Sequence, residues 1–174
     1  MGTRNLTVVY KDGTHKVAQY GQWDGYPSGQ GLTCLRFLQK MDRQTFMQQL
    51  DTKVGWATPE DVSARHPYNS RDVAADILEL IYNSECELKL IDSIEFGKDS
   101  LFCEYAYVID LDKNTFEIYE GFNVDKLEPT ERFYTERPND DGEYYGVKLI
   151  KTYQLSELPT EDDFLEELEG GEVE

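Results

Sequence analysis

Five side chains in this chain are of the types that ligate transition metals or act as activated nucleophiles: His15, Cys34, His66, Cys86 and Cys103. A structural zinc site draws them in tight pairs, roughly two to five residues apart. None of the five is spaced that way, so no metal and no cofactor is expected. Cys34 lies in the apolar run LTCLRFL and Cys103 in LFCEYAYVID, settings where a buried thiol is inert. Three widely spaced cysteines read as reduced thiols of a cytosolic protein. Asp110, Asp112 and Asn114 open like a calcium loop, but Thr115 and Gly121 replace the glycine and glutamate that such a loop needs at its sixth and twelfth positions. This stretch reads as a hairpin turn. Carboxylates for acid–base chemistry are numerous and unfocused, no pair stands out, and no catalytic residue is assigned.

The densest stretch is YGQWDGYPSGQG at residues 20–31. It lacks the Gly-Lys-Ser/Thr ending of a phosphate loop. As a ligand site, Trp23 and Tyr26 would stack on a planar group, Asp24 would serve as acid/base or polar anchor, and Arg4 would supply counter-charge. As scaffold, the same aromatics would plug the sheet edge while the glycines set the backbone of a strand-to-helix turn.

Charge is distributed unevenly. Residues 1–58 hold seven Lys/Arg against four Asp/Glu, residues 59–153 ten against twenty-two, and the tail from Gln154 none against nine; the whole chain carries −18. Such a field repels nucleic acid and anionic membranes and attracts basic partners. Glu157, Glu161, Asp162, Asp163, Glu166 and Glu167 are the candidate partner-binding residues. Set along a terminal helix, they would stand in for backbone phosphates in a basic nucleic-acid groove.

The elements that must position these residues follow from local pattern. Asp12-Gly13 between two apolar runs predicts a hairpin, with strands near 5–11 and 15–20. Leu32, Leu35 and Leu38 are spaced as on a helix starting near Gly29 or Gln30, with Ser28 as cap. Short helices are expected over 43–51 and from Thr58-Pro59, and a longer one after Ser70, its apolar face Val73, Ile77, Leu80 and Ile81. A second hairpin is expected within 101–121, then a polar, turn-rich stretch over 125–143, a last strand in YYGVKLIKTYQL, and a short acidic helix capped by Thr160 before a frayed tail. The order predicts an α+β domain over 1–158. Its antiparallel sheet is built from an N-terminal hairpin and a C-terminal three-strand unit, with three to four helices packed on it, and 159–174 form the acidic appendage. No run of apolar residues is long enough to cross a membrane, and the start MGTRNLTVVY has no signal-peptide h-region.

Over residues 1–38, MGTRNLTVVYKDG and KVAQYGQWDGYPSGQG resemble a set of proteins found in bacteriophages, prophage-bearing bacteria and some fungi. The resemblance implies phage or mobile-element provenance and no particular activity. The opening hairpin and loop also resemble, distantly, N-terminal-nucleophile hydrolases. Those use Cys, Ser or Thr as first residue, whereas loss of Met1 leaves Gly2 here, with Thr3 one position later. Two expectations result. One is an acidic, non-enzymatic inhibitor that engages a basic nucleic-acid-binding protein or ribonucleoprotein in the cytoplasm of an infected bacterial host, such as a CRISPR effector, by nucleic-acid mimicry. The other is a ligand-binding or hydrolytic domain with its pocket at residues 20–31.

Overall fold

Asp12 and Gly13 both adopt left-handed backbone, φ 57° and 80°, which matches the right-handed twist of the strands they join. The resulting hairpin pairs β1 (Asn5–Lys11) with β2 (Thr14–Gly21). A second hairpin pairs β5 (Tyr105–Asp110) with β6 (Thr115–Glu120). Its turn is held by the Asp110 carboxylate, which accepts from the backbone N–H groups of Asp112 and Lys113. Asp112 in turn accepts from the backbone of Asp12 and Gly13, so the tips of the two hairpins are tied together. In this computed structural model, which describes residues 2–169, β7 (Lys148–Gln154) completes a five-stranded sheet of order β2-β1-β5-β6-β7.

The protein is therefore α+β with a mostly antiparallel sheet, as the pattern predicts. The two halves meet through one parallel pair, β1 with β5, in register from Asn5↔Tyr105 to Tyr10↔Asp110. A parallel pair requires a crossover, and residues 22–104 supply it. They form α1 (Leu32–Lys40), α2 (Arg43–Lys53), α3 (Pro59–Ser63) and α4 (Ile77–Asn83), together with a small parallel sheet of β3 (Val54–Trp56) and β4 (Leu88–Leu90). Asp42 caps α2 by accepting from the Thr45 N–H, and Thr58 with Asp61 forms a reciprocal capping box on α3.

Both faces of the sheet are covered. On one face Val9, Val17, Tyr107, Ile109, Phe116 and Ile118 pack against Leu35, Phe46, Leu50, Ile77 and Ile81 of the helices. Phe164 of α5 (Glu161–Leu168) enters the same core, stacked on Phe116 at 6.0 Å, so the acidic helix is docked on the body. On the other face Leu6, Val8, Ala106, Val108 and Tyr119 are roofed by Leu127, Phe133 and Val147 from the irregular arm between β6 and β7.

The structure corrects several local expectations. The helix expected after Ser70 is interrupted: Ala74 takes φ 47°, a short 3₁₀ turn covers Ala74–Asp76, and α4 starts only at Ile77. The cause is tertiary. The Gln22 N–H donates to the Arg71 carbonyl, and the Gln30 side chain accepts from the Ala75 N–H, which bends this segment onto the 20–31 loop. Leu80 consequently leaves the apolar face and is 44% exposed. Ser70 makes a local turn, its hydroxyl accepting from the Asp72 N–H, rather than capping a long helix. Ser28 caps nothing; its backbone N–H donates to the Glu169 carboxylate. Cys103 is buried as expected but precedes β5 instead of lying in it. The end of the expected frayed tail, residues 170–174, lies outside the described residues.

Candidate functional site

The 20–31 loop is built by backbone and side-chain bonds to its own surroundings. Asp24 turns the chain at φ 57°, and its carbonyl accepts from the Gln30 N–H at 2.7 Å. The Gly25 N–H donates to the Thr3 carbonyl at 3.0 Å, while the Gly25 carbonyl accepts the Tyr107 hydroxyl at 2.6 Å. Pro27–Gly31 then makes one wide, π-helical turn that leads directly into α1. Glycine is required here for close approach. A Cβ on Gly25 would meet the Thr3 carbonyl at 2.5 Å, and one on Gly31 would meet the Tyr107 ring at 3.1 Å.

Trp23 and Tyr26 remain 40% and 50% exposed. The Trp23 indole N–H donates to Asp72 at 2.8 Å, with the Arg71 guanidinium over the ring, and Tyr26 leans on Tyr105. The Arg4 guanidinium lies over the Phe102 ring. A groove runs beside the loop, and none of Trp23, Asp24 and Tyr26 lines it. Thr3, the hydroxyl nearest the start, is buried beneath the loop.

The candidate nucleophiles and ligands stay dispersed. The His15 imidazole pairs with Asp92 at 2.9 Å, and His66 stacks on Tyr68. Burial pushes the Cys34 thiol up to about 12 and raises Cys103 further, whereas Cys86 is exposed. Among the described residues no three His, Cys, Asp or Glu side chains are grouped to hold a metal ion, and no helix is long and apolar enough to cross a membrane.

The tail carboxylates divide into two sets. Glu161 makes a two-pronged bond to Arg36, at 2.8 and 2.9 Å, which holds its carboxyl below the usual range. Glu167 accepts the Tyr153 hydroxyl at 2.6 Å and lies 3.6 Å from Lys151. These two fasten α5 to the body. Asp162, Asp163, Glu166 and Glu157 are exposed, and among the described residues none has an ion-pair partner. Thr160 caps the helix by accepting from the Asp163 N–H. The first-turn acids thus sit at the positive end of the helix, where their mutual repulsion is partly offset.

One ionic cluster escaped the sequence reading. Asp110 and Glu117 lie on the arm-covered face, and Arg132 of the arm bridges them at 2.5 and 2.7 Å. Tyr119 and Thr115 donate to Glu117, and the Tyr10 ring lies 4.4 Å beneath the guanidinium. Burial opposes the ionisation of Glu117, but the bonds from Arg132, Tyr119 and Thr115 outweigh it and hold its carboxyl below the usual range. The signal was present in part: residues 106, 108 and 110, and 115, 117 and 119, alternate onto one face, so two acids occupy inward positions. Arg132, in a polar stretch without periodicity, had none. With side chains only 4% to 15% exposed, the cluster is closed to a substrate and acts as a clamp on the arm.

No family model matches the chain, and no curated protein or solved structure is found to be similar to it.

Proposed function

We propose that the protein is a non-enzymatic binding protein whose acidic surface occupies the nucleic-acid-contacting groove of a basic partner, as an inhibitor. The observation that carries this reading is the row of exposed, unpaired carboxylates Asp162, Asp163, Glu166 and Glu157 on and beside a docked helix. Because Phe164 and the Arg36–Glu161 pair already fix the helix, little ordering cost remains to be met on binding. A rigid acidic face also speeds encounter with a basic partner and makes binding salt-dependent. The partner class proposed is a nucleic-acid-handling protein of a bacterial host infected by a phage or mobile element, a CRISPR effector being the specific case. The alternative of a ligand pocket at residues 20–31 has less support, because backbone groups of Asp24 and Gly25 are bonded within the fold and none of Trp23, Asp24 and Tyr26 lines the groove beside the loop.

Competition tests the proposal. Labelled DNA bound to a guide-loaded CRISPR effector should be displaced by the protein, and displacement should weaken steeply between about 50 and 200 mM salt. The variant Asp162→Lys, Asp163→Lys, Glu166→Lys should lose it. Absence of displacement at the lowest salt, or full displacement by the triple variant, overturns the assignment.

A further inference from the structure

The groove beside the loop has a volume of about 1050 Å³ and runs between the Pro67–Asp72 segment and α4. Its floor is apolar: Tyr68, Val73 and Leu88, with the exposed Leu80 at one side. The Tyr68 ring is held in place because its hydroxyl accepts from the Lys89 N–H and its carbonyl accepts from Gln19. Three carboxylates stand along the groove, Asp72, Asp76 and Glu79, and no lysine, arginine or histidine lines it. Asp72 is fixed by the Trp23 indole N–H, whereas Asp76 and Glu79 make no ion pair among the described residues. On α4 and its cap, Asp76, Glu79, Leu80 and Asn83 fall at i, i+3, i+4 and i+7, one continuous stripe along the groove wall.

We infer that this groove docks a segment of the basic partner in which Lys or Arg side chains flank an apolar one. The occupant follows from charge and shape. Lys or Arg side chains would complement the three exposed carboxylates, and an apolar side chain would cover Tyr68, Val73 and Leu88. The volume lies just above the range of small-molecule pockets, roughly 300–1,000 Å³, and the groove is open along its side, which suits a chain segment better than an enclosed ligand. A second copy of a chain carrying −18 would bring like charge to like charge. Burial and the neighbouring Glu79 already raise the Asp76 pKa, in keeping with an acid that lacks its counter-ion.

The inference rests on the binding reading above and adds a second contact surface to it. The 20–31 loop lies between the two surfaces: Ser28 reaches Glu169 on one side, and Trp23 and Gln30 reach Asp72 and Ala75 on the other.

The test is amide-resolved NMR on the full chain, titrated with the capped peptide Leu-Arg-Phe-Lys and with its charge-swapped counterpart Leu-Glu-Phe-Glu. Saturable shifts at Tyr68, Val73, Asp76, Leu80 and Leu88 are expected with the first peptide and none with the second. Asp76→Asn with Glu79→Gln should weaken binding about tenfold, and Leu80→Lys should abolish it, each with an unchanged melting temperature. Equal response to both peptides, shifts spread over α5, or full binding by Leu80→Lys overturns the groove. The α5 charge-reversal variant separates the two proposals. It should bind the peptide normally while losing DNA competition; failed DNA competition by the native protein beside intact peptide binding sinks the inhibitor reading and leaves the groove standing.

Discussion

Replacing Arg132 with Met keeps the alkyl stem over Tyr10 and removes the guanidinium from between two carboxylates. Three bonds are lost, to Asp110 at 2.5 Å and to Glu117 at 2.7 and 3.0 Å. Removing one partner of a buried ion pair costs about 3–5 kcal/mol, because the remaining charge is left desolvated. Here two effects act in opposite directions. Asp110 keeps two backbone N–H donors and Glu117 keeps two hydroxyl donors, but the two carboxylates now repel each other without a screen. We therefore expect a loss of about 3–5 kcal/mol at neutral pH, a melting temperature roughly 6–20 °C lower for a chain of this size. The pH dependence is the sharper criterion. In the native protein the carboxyl of Glu117 is held down, so its stabilising contribution is present above the unfolded-state value, about 4.3, and is lost as pH falls through the lower folded value. Without Arg132, burial pushes Glu117 up instead. The variant then binds a proton on folding, and its deficit should shrink steadily from pH 8 toward pH 5. Urea unfolding followed by tryptophan fluorescence at several pH values measures this. Hydrogen exchange should quicken first in the arm around Leu127 and Phe133, and later in β1. A deficit below about 1 kcal/mol, or one unchanged between pH 5 and 8, would refute the claim that the arm is held by this buried cluster.

Two further outcomes are expected. Under native conditions a thiol-reactive dye should label one cysteine, Cys86, while Cys34 and Cys103, buried and with thiols raised by burial, react only on unfolding; mass spectrometry of the labelled peptides decides this. Phe164→Ala should cost about 3–5 kcal/mol, since its ring is fully buried against Phe116 and Tyr153. It should release α5 and abolish DNA competition while leaving peptide binding in the groove intact, which circular dichroism and the NMR titration would read together.

The elements legible in the chain are those whose cause is short in range. Asp12-Gly13 specifies its own turn because both residues tolerate left-handed backbone. Thr58 before Pro59 marks its own helix start, and Leu32, Leu35 and Leu38 read as a helix because periodicity is local. The α+β class followed from the order of these elements, and the acidity of the tail was visible as composition, whereas which of its acids are paired was not.

Only the tertiary structure decided the rest. The parallel contact of β1 with β5 joins residues a hundred positions apart, and no local pattern distinguishes it from an antiparallel partner. The break at Ala74 arises because Gln22 and Gln30 outcompete the helix for the 71–75 backbone. The Asp110–Arg132–Glu117 clamp exists because two inward acids desolvated by an arm require a cation, which a polar stretch far along the chain supplies. The glycine-rich loop shows the division within one segment. Its glycines marked a strand-to-helix turn, but whether Trp23 and Tyr26 would enclose a pocket depended on what lay beneath. There Tyr107 and Thr3 take up its backbone groups, while the groove opens one step away, where Trp23 holds Asp72.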